Sequence, residues 1–160
     1  MGCVTIEQLA RIYPSAAGEV LDAVLSAIDA AGLTCDVRTA AYFLAQIGHE
    51  SAGLRHTREI GGEKARYAPW YGRGYIQITW RANYEACAAA TGLDCVHHPE
   101  VLESVDGAIA SAIWFYMSHG LHRLAHFDTI STRINGAGIT PASLASRRTW
   151  LARVQQVLGG

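Results

Sequence analysis

Apolar residues recur at helical spacing along most of this chain, and one glycine-rich stretch interrupts them. The clearest helical segment follows Asp36, a residue that can cap a helix N-terminus. Its predicted core face carries Val37, Ala40, Ala41, Leu44 and Gly48. Residues 53–74 lose the pattern, and their glycines, proline and mixed charges predict a long loop of the kind that is usually functional. The periodicity therefore predicts a mainly α-helical fold with one extended loop.

The remaining segments are also predicted to be mostly helical. Further helices are expected near residues 6–13, 20–28, 82–91, from 99, 105–116 and in a last segment around 144–154. Between the loop and the fourth helix, Tyr75 to Thr79 alternate in polarity, which predicts a short strand with Tyr75, Gln77 and Thr79 on one face. No repeat or linker divides the chain, so residues 1–160 are expected to form a single domain.

Composition and charge narrow the class of protein. Half of the 160 residues are apolar, which is enough for a real core. A formal net charge of −1, with scattered basic residues, argues against nucleic-acid binding. The apolar runs are too short to cross a membrane and no secretion leader is recognisable, so we expect no stable membrane association. A monomer with neutral or small partners is expected.

Two glutamates lie close together in sequence where the predicted helix meets the loop. Glu50 ends the helix near the apolar Phe43 and Ile47, which would disfavour its charged form. Glu59 lies in the glycine-rich loop, where water would keep it ionised. A proton-donating and an ionised carboxyl group are the pair needed to hydrolyse a glycosidic bond. The Gly72-Arg73-Gly74 turn and the Thr79 hydroxyl follow shortly after.

Several motifs in this order resemble glycoside hydrolase family 19, which contains plant-type chitinases and the lysozyme-like endolysins of bacteriophages. The motifs are Phe43–Ser51, Glu59, Gly72–Thr79, Arg81–Tyr84 and Thr132–Gly136. The opening Thr5–Leu9 resembles the phage members in particular. The resemblance implies a lysozyme-like α-helical domain with a small β element, and hydrolysis with inversion at the anomeric carbon.

The same resemblance implies roles for individual residues. Glu50 would be the general acid, Glu59 the general base, and Thr79 a hydroxyl that holds the attacking water. The implied substrate-binding residues are His49, Tyr71, Gln77, Asn83 and Asn135, and the implied supporting residues are Arg73 and Arg147. The loop after Glu59 is shorter than in plant chitinases, and no acidic residue follows Asn135 closely. Glu63 is therefore kept as the alternative base, and a more open cleft is expected.

Histidines and cysteines raise a rival interpretation, a zinc amidase. His119, His122 and His126 have spacings that could bring imidazoles together, with Cys95, His97 and His98 nearby in sequence. Gly120 interrupts the helix that would align them, and no His-Glu-x-x-His motif is present. Surface or core histidines are the preferred interpretation. The spacing of the four cysteines, Cys3, Cys35, Cys87 and Cys95, is not that of a disulfide-dense scaffold, so reduced and mostly buried thiols are expected.

The sequence thus favours a phage endolysin-type glycoside hydrolase that cuts the β-1,4 backbone of peptidoglycan without cofactor or metal. A chitinase is the alternative, since both polymers contain N-acetylglucosamine. A non-catalytic wall-binding module is a more distant one, in which aromatic residues would stack on sugars: Trp70, Tyr71, Tyr75 and Trp80. The expected location is the host bacterial cytoplasm, followed by the cell wall after release by a separate factor.

Overall fold

The computed structural model describes residues 2–159, and α-helices form most of that range. They are α1 (Ile6–Ile12), α2 (Gly18–Ala30), α3 (Val37–Glu50), α4 (Arg81–Thr91), α5 (Val105–Ser118), α6 (Phe127–Asn135) and α7 (Pro141–Gly159). Short 3₁₀ turns cover Gly62–Lys64, Pro99–Glu103 and Leu121–Arg123. The mainly α-helical prediction is confirmed. Helix α6 was not predicted as a separate element, and the segment after Pro99 is a 3₁₀ turn.

Helix α3 is the central element of the core. The Asp36 carboxylate accepts a hydrogen bond from the Thr39 N–H at 2.9 Å, as expected of an N-cap. Every residue from Phe43 to Gly48 is buried. A side chain at Gly48 would come within 2.7 Å of the Trp150 ring, so only glycine lets α7 approach this closely. The predicted core face is wrong at Val37, which is 45% exposed in the first turn.

The predicted strand at Tyr75–Thr79 is not formed. The backbone folds back on itself, because Arg73 and Ile78 exchange N–H···O bonds of 3.1 and 2.8 Å. Gln77 has a φ of 61° and Trp80 one of 74°, which no strand accommodates. The β element consists of isolated bridges that link Arg73 to Arg58 and to Ile78. Tyr75 is 1% exposed, so its ring belongs to the core.

Two further expectations concern the membrane and the thiols. Within residues 2–159, no helix is long and apolar enough to cross a membrane. All four cysteines are free; Cys87 and Cys95 are buried, Cys3 is half-buried and Cys35 is exposed. The prediction of mostly buried thiols therefore holds for Cys87 and Cys95 and not for Cys3 and Cys35.

Candidate active site

A cleft of about 540 Å³ lies where the C-terminus of α3 faces the loop before α4. Its walls come from α3, the 76–80 loop, α4, α5, α6 and α7. The lining residues with hydrogen-bonding or charged side chains are His49, Glu50, Tyr67, Gln77, Thr79, Trp80, Asn83, Asn135 and Arg147. Seven of the predicted site residues thus meet in one cavity; Glu59, Tyr71 and Arg73 do not line it directly.

Glu50 is the last residue of α3 and lies mostly inside the protein. Its side chain is 16% exposed, and the Arg147 guanidinium, 2% exposed, donates a hydrogen bond to one carboxylate oxygen. Burial raises the pKa of Glu50, whereas the positive charge of Arg147 acts in the opposite direction. The raised pKa agrees in direction with the sequence argument for a proton donor.

Arg147 belongs to a buried polar network that joins three helices. Its Nη1 donates to Gln46 Oε1 at 2.6 Å, and Gln46 Nε2 donates to Ser131 Oγ at 2.8 Å. Gln46 and Ser131 are completely buried. The sequence could have indicated this network, because a glutamine in the buried stretch of an amphipathic helix requires a hydrogen-bond partner. The network fixes the guanidinium that holds Glu50.

His49 lines the cleft beside Glu50. Its Nδ1 lies 2.9 Å from Ser146 Oγ on α7. Burial, and then the nearby charge of Arg147, lower the pKa of His49 to about 4. The imidazole is therefore neutral near pH 7 and can offer one donor and one acceptor to a ligand.

Glu59 does not line the cleft itself, but its carboxylate is hydrogen-bonded to Tyr67, which does. Its Oε1 accepts a hydrogen bond from the Tyr67 hydroxyl at 2.7 Å, and its Oε2 accepts one from the Gly72 N–H at 2.9 Å. The bond to Glu59 raises the pKa of Tyr67, so its hydroxyl remains a donor at neutral pH. Tyr67 lines the cleft and was missed by sequence reasoning, because nothing local to residue 67 marks it as a partner of residue 59. Glu63 pairs instead with Arg58 at 3.4 Å, and its side chain is 53% exposed.

Gly72 lies between the Glu59 and Gln77 side chains. A Cβ at this position would lie 2.7 Å from Gln77 Oε1 and 3.3 Å from Glu59 Oε2. Gln77 Nε2 donates to the Gly74 carbonyl at 2.9 Å, which fixes the amide. The small glycine therefore lets a carboxylate and an amide approach each other at the edge of the cleft.

Thr79 and Asn83 occupy the adjoining wall. The Thr79 hydroxyl donates to the Gln77 carbonyl at 3.1 Å, and Asn83 Nδ2 donates to the Thr79 carbonyl at 2.8 Å. The oxygen lone pairs of the Thr79 hydroxyl remain as acceptors. Asn135 ends α6, with its Nδ2 3.4 Å from the Gly136 carbonyl. These side chains are polar, uncharged and partly accessible, as contacts with sugar hydroxyls would require.

Tyr71 does not line the cleft, so its predicted role in substrate binding stays a prediction. Tyr71 is 7% exposed, and the Arg73 guanidinium lies over its ring, 3.7 Å from the ring centre. Arg73 also donates to Glu103 at 2.9 Å and to the Pro69 carbonyl at 2.7 Å. Arg73 thus links the loop at residues 69–73 to Glu103 on the side away from the cleft lining, which agrees with a supporting role.

The aromatic residues expected to stack on sugars are distributed differently. Among Trp70, Tyr71, Tyr75 and Trp80, the last lines the cleft, and it is 47% exposed. The Tyr67 ring lies 4.9 Å from the Trp80 ring, so these two form an aromatic edge. Trp70 points its indole N–H at the Val96 carbonyl, 3.2 Å away.

The histidines of the zinc hypothesis are not brought together. The His119 ring stacks on Phe115 with a centroid distance of 4.0 Å, and Cys95 Sγ lies 3.3 Å from the Tyr84 carbonyl. Within the part of the chain that the structure describes, no group of three or more histidine, cysteine or acidic side chains could hold a metal ion.

The chain is similar to known proteins both in sequence and in fold. The model of glycoside hydrolase family 19, described as chitinase class I, matches residues 63–143. Endochitinase At2g43610 of Arabidopsis thaliana is 35% identical over 127 residues, which are 69% of this chain and 44% of that protein. Acidic endochitinase SP2 of Beta vulgaris is 33% identical over 118 residues, 62% of this chain and 41% of that protein. The chain thus spans about half, or less, of the length of these relatives.

Solved structures agree over nearly the whole chain. Chitinase C from Streptomyces griseus HUT6037 superposes with a TM-score of 0.79 at 25% identity, covering 98% of this chain and 77% of that one. The class IV chitinase of Zea mays gives the same TM-score and identity, covering 98% and 93%. The predicted lysozyme-like helical architecture is confirmed by this agreement.

Proposed function

We infer that this chain, because it belongs to glycoside hydrolase family 19 (chitinase class I), hydrolyses β-1,4 bonds in a glycan that contains N-acetylglucosamine. The observation that carries the proposal is the contrast between two carboxyl groups, one that lines the cleft and one that is hydrogen-bonded to the cleft residue Tyr67. Glu50 is mostly buried with a raised pKa, and Glu59 accepts hydrogen bonds from the Tyr67 hydroxyl and the Gly72 N–H. Such a contrast separates a proton donor from a proton acceptor.

In the proposed reaction, Glu50 gives its proton to the glycosidic oxygen as the bond to the anomeric carbon breaks. Glu59 takes a proton from a water molecule that attacks the same carbon from the opposite face. The Tyr67 hydroxyl and the Gly72 N–H orient Glu59 for this step. The free lone pairs of the Thr79 hydroxyl accept a hydrogen bond from that water. Afterwards Glu50 is ionised and Arg147 stabilises its charge until a proton returns.

Chitin is the first candidate substrate. The relatives reported above are named as chitinases or endochitinases. Apart from the paired Glu50 and Arg147, the polar side chains at the cleft wall are amides, hydroxyls, an indole and a neutral imidazole, which suit an uncharged polymer. The phage endolysin interpretation, placed first by the sequence, therefore becomes the second candidate.

Peptidoglycan remains a candidate because of one cation at the rim. The Arg66 guanidinium lies 5.3 Å from the Trp80 ring centre, and within residues 2–159 it makes no ion pair. A sugar stacked on Trp80 would place a carboxylate substituent near this charge, and peptidoglycan carries such groups whereas chitin does not. In that case, the route from a bacterial cytoplasm to the wall would require a separate release factor.

The test compares Glu50→Gln with Glu85→Gln on a chitin hexasaccharide and on purified peptidoglycan. Glu85 is an exposed partner of Arg81, so its variant controls for the loss of one carboxylate. We expect Glu50→Gln to lower turnover by about 10²–10⁴-fold, because the proton donor is lost, and Glu85→Gln to change little. Mass spectrometry of the new reducing ends identifies the sugar cut in each polymer. Full activity of Glu50→Gln on both substrates would contradict the mechanism.

A further inference from the structure

A second cavity, of about 180 Å³, lies beyond the C-terminus of α3. Its lining residues are Tyr13, Pro14, Ser15, Ala52, Gly53, Arg55, Trp150 and Arg153. It shares no lining residue with the cleft. The Trp150 ring, which lines this second cavity, packs on α3 at Gly48. Helix α3, which ends at Glu50, therefore contributes to the surroundings of both cavities.

The charge of this second cavity is positive. Arg55 and Arg153 line it, and no acidic residue does. Neither arginine takes part in an ion pair within residues 2–159. The Arg153 guanidinium lies 5.5 Å from the Trp150 ring centre, and its Nη2 donates to the Arg11 carbonyl at 3.5 Å, so neither contact supplies a negative charge. Two cations without counter-charges at one small cavity favour an anionic ligand.

The rest of the wall is aromatic and rigid. The Tyr13 and Trp150 rings lie 5.8 Å apart, and the Tyr13 hydroxyl is occupied by a bond to the Leu44 carbonyl at 2.5 Å. The turn that carries Arg55 is fixed, because the Gly53 and Arg55 amides donate to carbonyls at the end of α3 at 2.9 and 3.0 Å. The pocket is therefore pre-formed, with an apolar floor and a charged rim.

We propose that this pocket binds a carboxylate at the end of a short peptide or acylated amino acid. Guanidinium groups pair with planar carboxylates through two parallel hydrogen bonds. The volume corresponds to roughly six water molecules, which leaves room for a carboxylate and a few carbon atoms against the indole ring. The ligand is distinct from a neutral glycan, so the inference goes beyond the proposed glycosidase activity and does not depend on it.

The test is a titration followed by the indole N–H signal of Trp150 in ¹⁵N NMR, assigned with Trp150→Phe. N-acetylalanine is the probe, its amide is the uncharged control, and acetate and inorganic phosphate represent free small anions. We expect saturable shifts with N-acetylalanine, none with the amide, and a Kd for acetate about tenfold weaker, because acetate lacks the chain that covers the ring.

Arg55→Gln and Arg153→Gln are expected to weaken binding about tenfold each, since each removes one charge-assisted contact. Arg38→Gln, an exposed arginine on α3, is the matched control and should bind as the unchanged protein does. Arg55 is also exposed, so its variant keeps the fold, and its hydrolysis of chitin oligosaccharides should be unchanged. Equal binding of the amide would overturn charge recognition, and equal binding of acetate or phosphate would overturn the peptide-like ligand. Absence of any shift would overturn the site.

Discussion

The Arg147 guanidinium donates a hydrogen bond to the Glu50 carboxylate, although 97 positions separate the two residues in the chain. Both side chains are shielded from water, so their interaction is weakly screened. Burial and Arg147 act on the pKa of Glu50 in opposite directions, and burial is the larger effect. A residue of the last helix thus counteracts part of the effect that burial has on the pKa of the proposed acid.

Replacing Arg147 should move the alkaline limb of the pH–activity profile. Activity requires protonated Glu50, so it falls as the pH rises through the pKa of that group. Arg147→Gln removes the charge that lowers this pKa, and the limb should shift to higher pH, with a lower turnover. Arg147→Lys keeps the charge and should restore much of the original position. The measurement is kcat/KM against pH on a soluble chitin oligosaccharide.

The matched control for this experiment is Arg148→Gln. Arg148 pairs with Asp128 at the surface, where the two side chains are 56% and 50% exposed. Exposed pairs contribute little to stability, typically about 0–1 kcal/mol, whereas breaking a buried pair costs about 3–5 kcal/mol. Thermal unfolding therefore accompanies each profile. If the alkaline limb of a folded Arg147→Gln variant stays in place, Arg147 does not influence the pKa of the catalytic acid.

The half-buried imidazole of His49 predicts a loss of stability in mild acid. Its pKa is about 4 in the folded chain, against about 6.5 when unfolded. Between these values the unfolded chain binds more protons, so the free energy of unfolding decreases as the pH falls. The contribution is fully present above pH 6.5 and is lost as the pH approaches 4. Urea unfolding at several pH values should give a flatter curve for His49→Gln.

His97→Gln provides the comparison for His49. His97 is 79% exposed beside Asp94, so its replacement should leave the pH dependence nearly unchanged. If the free energy of unfolding depends on pH in the same way for the original chain and for His49→Gln, the neutral form of His49 is not favoured by folding.

Local sequence patterns predicted the scaffold better than they predicted the site. The cap at Asp36 and the helix that ends at Glu50 depend on residues within a few positions of each other, and both were found. The strand at residues 75–79 was wrong, because polarity alternation cannot report the positive φ of Gln77. The resemblance alone indicated Arg147 as a supporting residue, and its bond to Glu50 appears only in the folded chain. The partner of Glu59, Tyr67, likewise depends on the folded loop.

Tyr67→Phe tests whether this contact positions Glu59. The substitution keeps the ring beside Trp80 and removes the hydroxyl that donates to Glu59 Oε1 at 2.7 Å. We expect kcat to fall about tenfold with little change in KM, because the ring at the cleft wall is retained while the carboxylate loses one of its two donors. A rise in KM at constant kcat would assign Tyr67 to substrate binding alone.

Thr79 can be tested with two variants of similar size. If its hydroxyl holds the attacking water, Thr79→Val should lower turnover with little change in substrate affinity, and Thr79→Ser should be mild. Thr79 lines the cleft, and its hydroxyl hydrogen is donated to the Gln77 carbonyl. The lone pairs of the hydroxyl oxygen therefore remain available to accept a hydrogen bond. Steady-state kinetics on the hexasaccharide decide the matter. Equal rates for the Val and Ser variants would leave the hydroxyl without a role.

The stereochemistry of the product tests the whole mechanism. Glu50 and Glu59 are held by separate partners, Arg147 on α7 and Tyr67 in the loop, which suits a base acting through water better than a nucleophile pressed against the sugar. Inverting enzymes hold their carboxyl groups roughly 6.5–9.5 Å apart, and retaining enzymes about 5–5.5 Å. Hydrolysis of a β-linked oligosaccharide should therefore release the α anomer first. Proton NMR recorded before mutarotation measures this directly, and initial release of the β anomer would remove Glu59 from the role of general base.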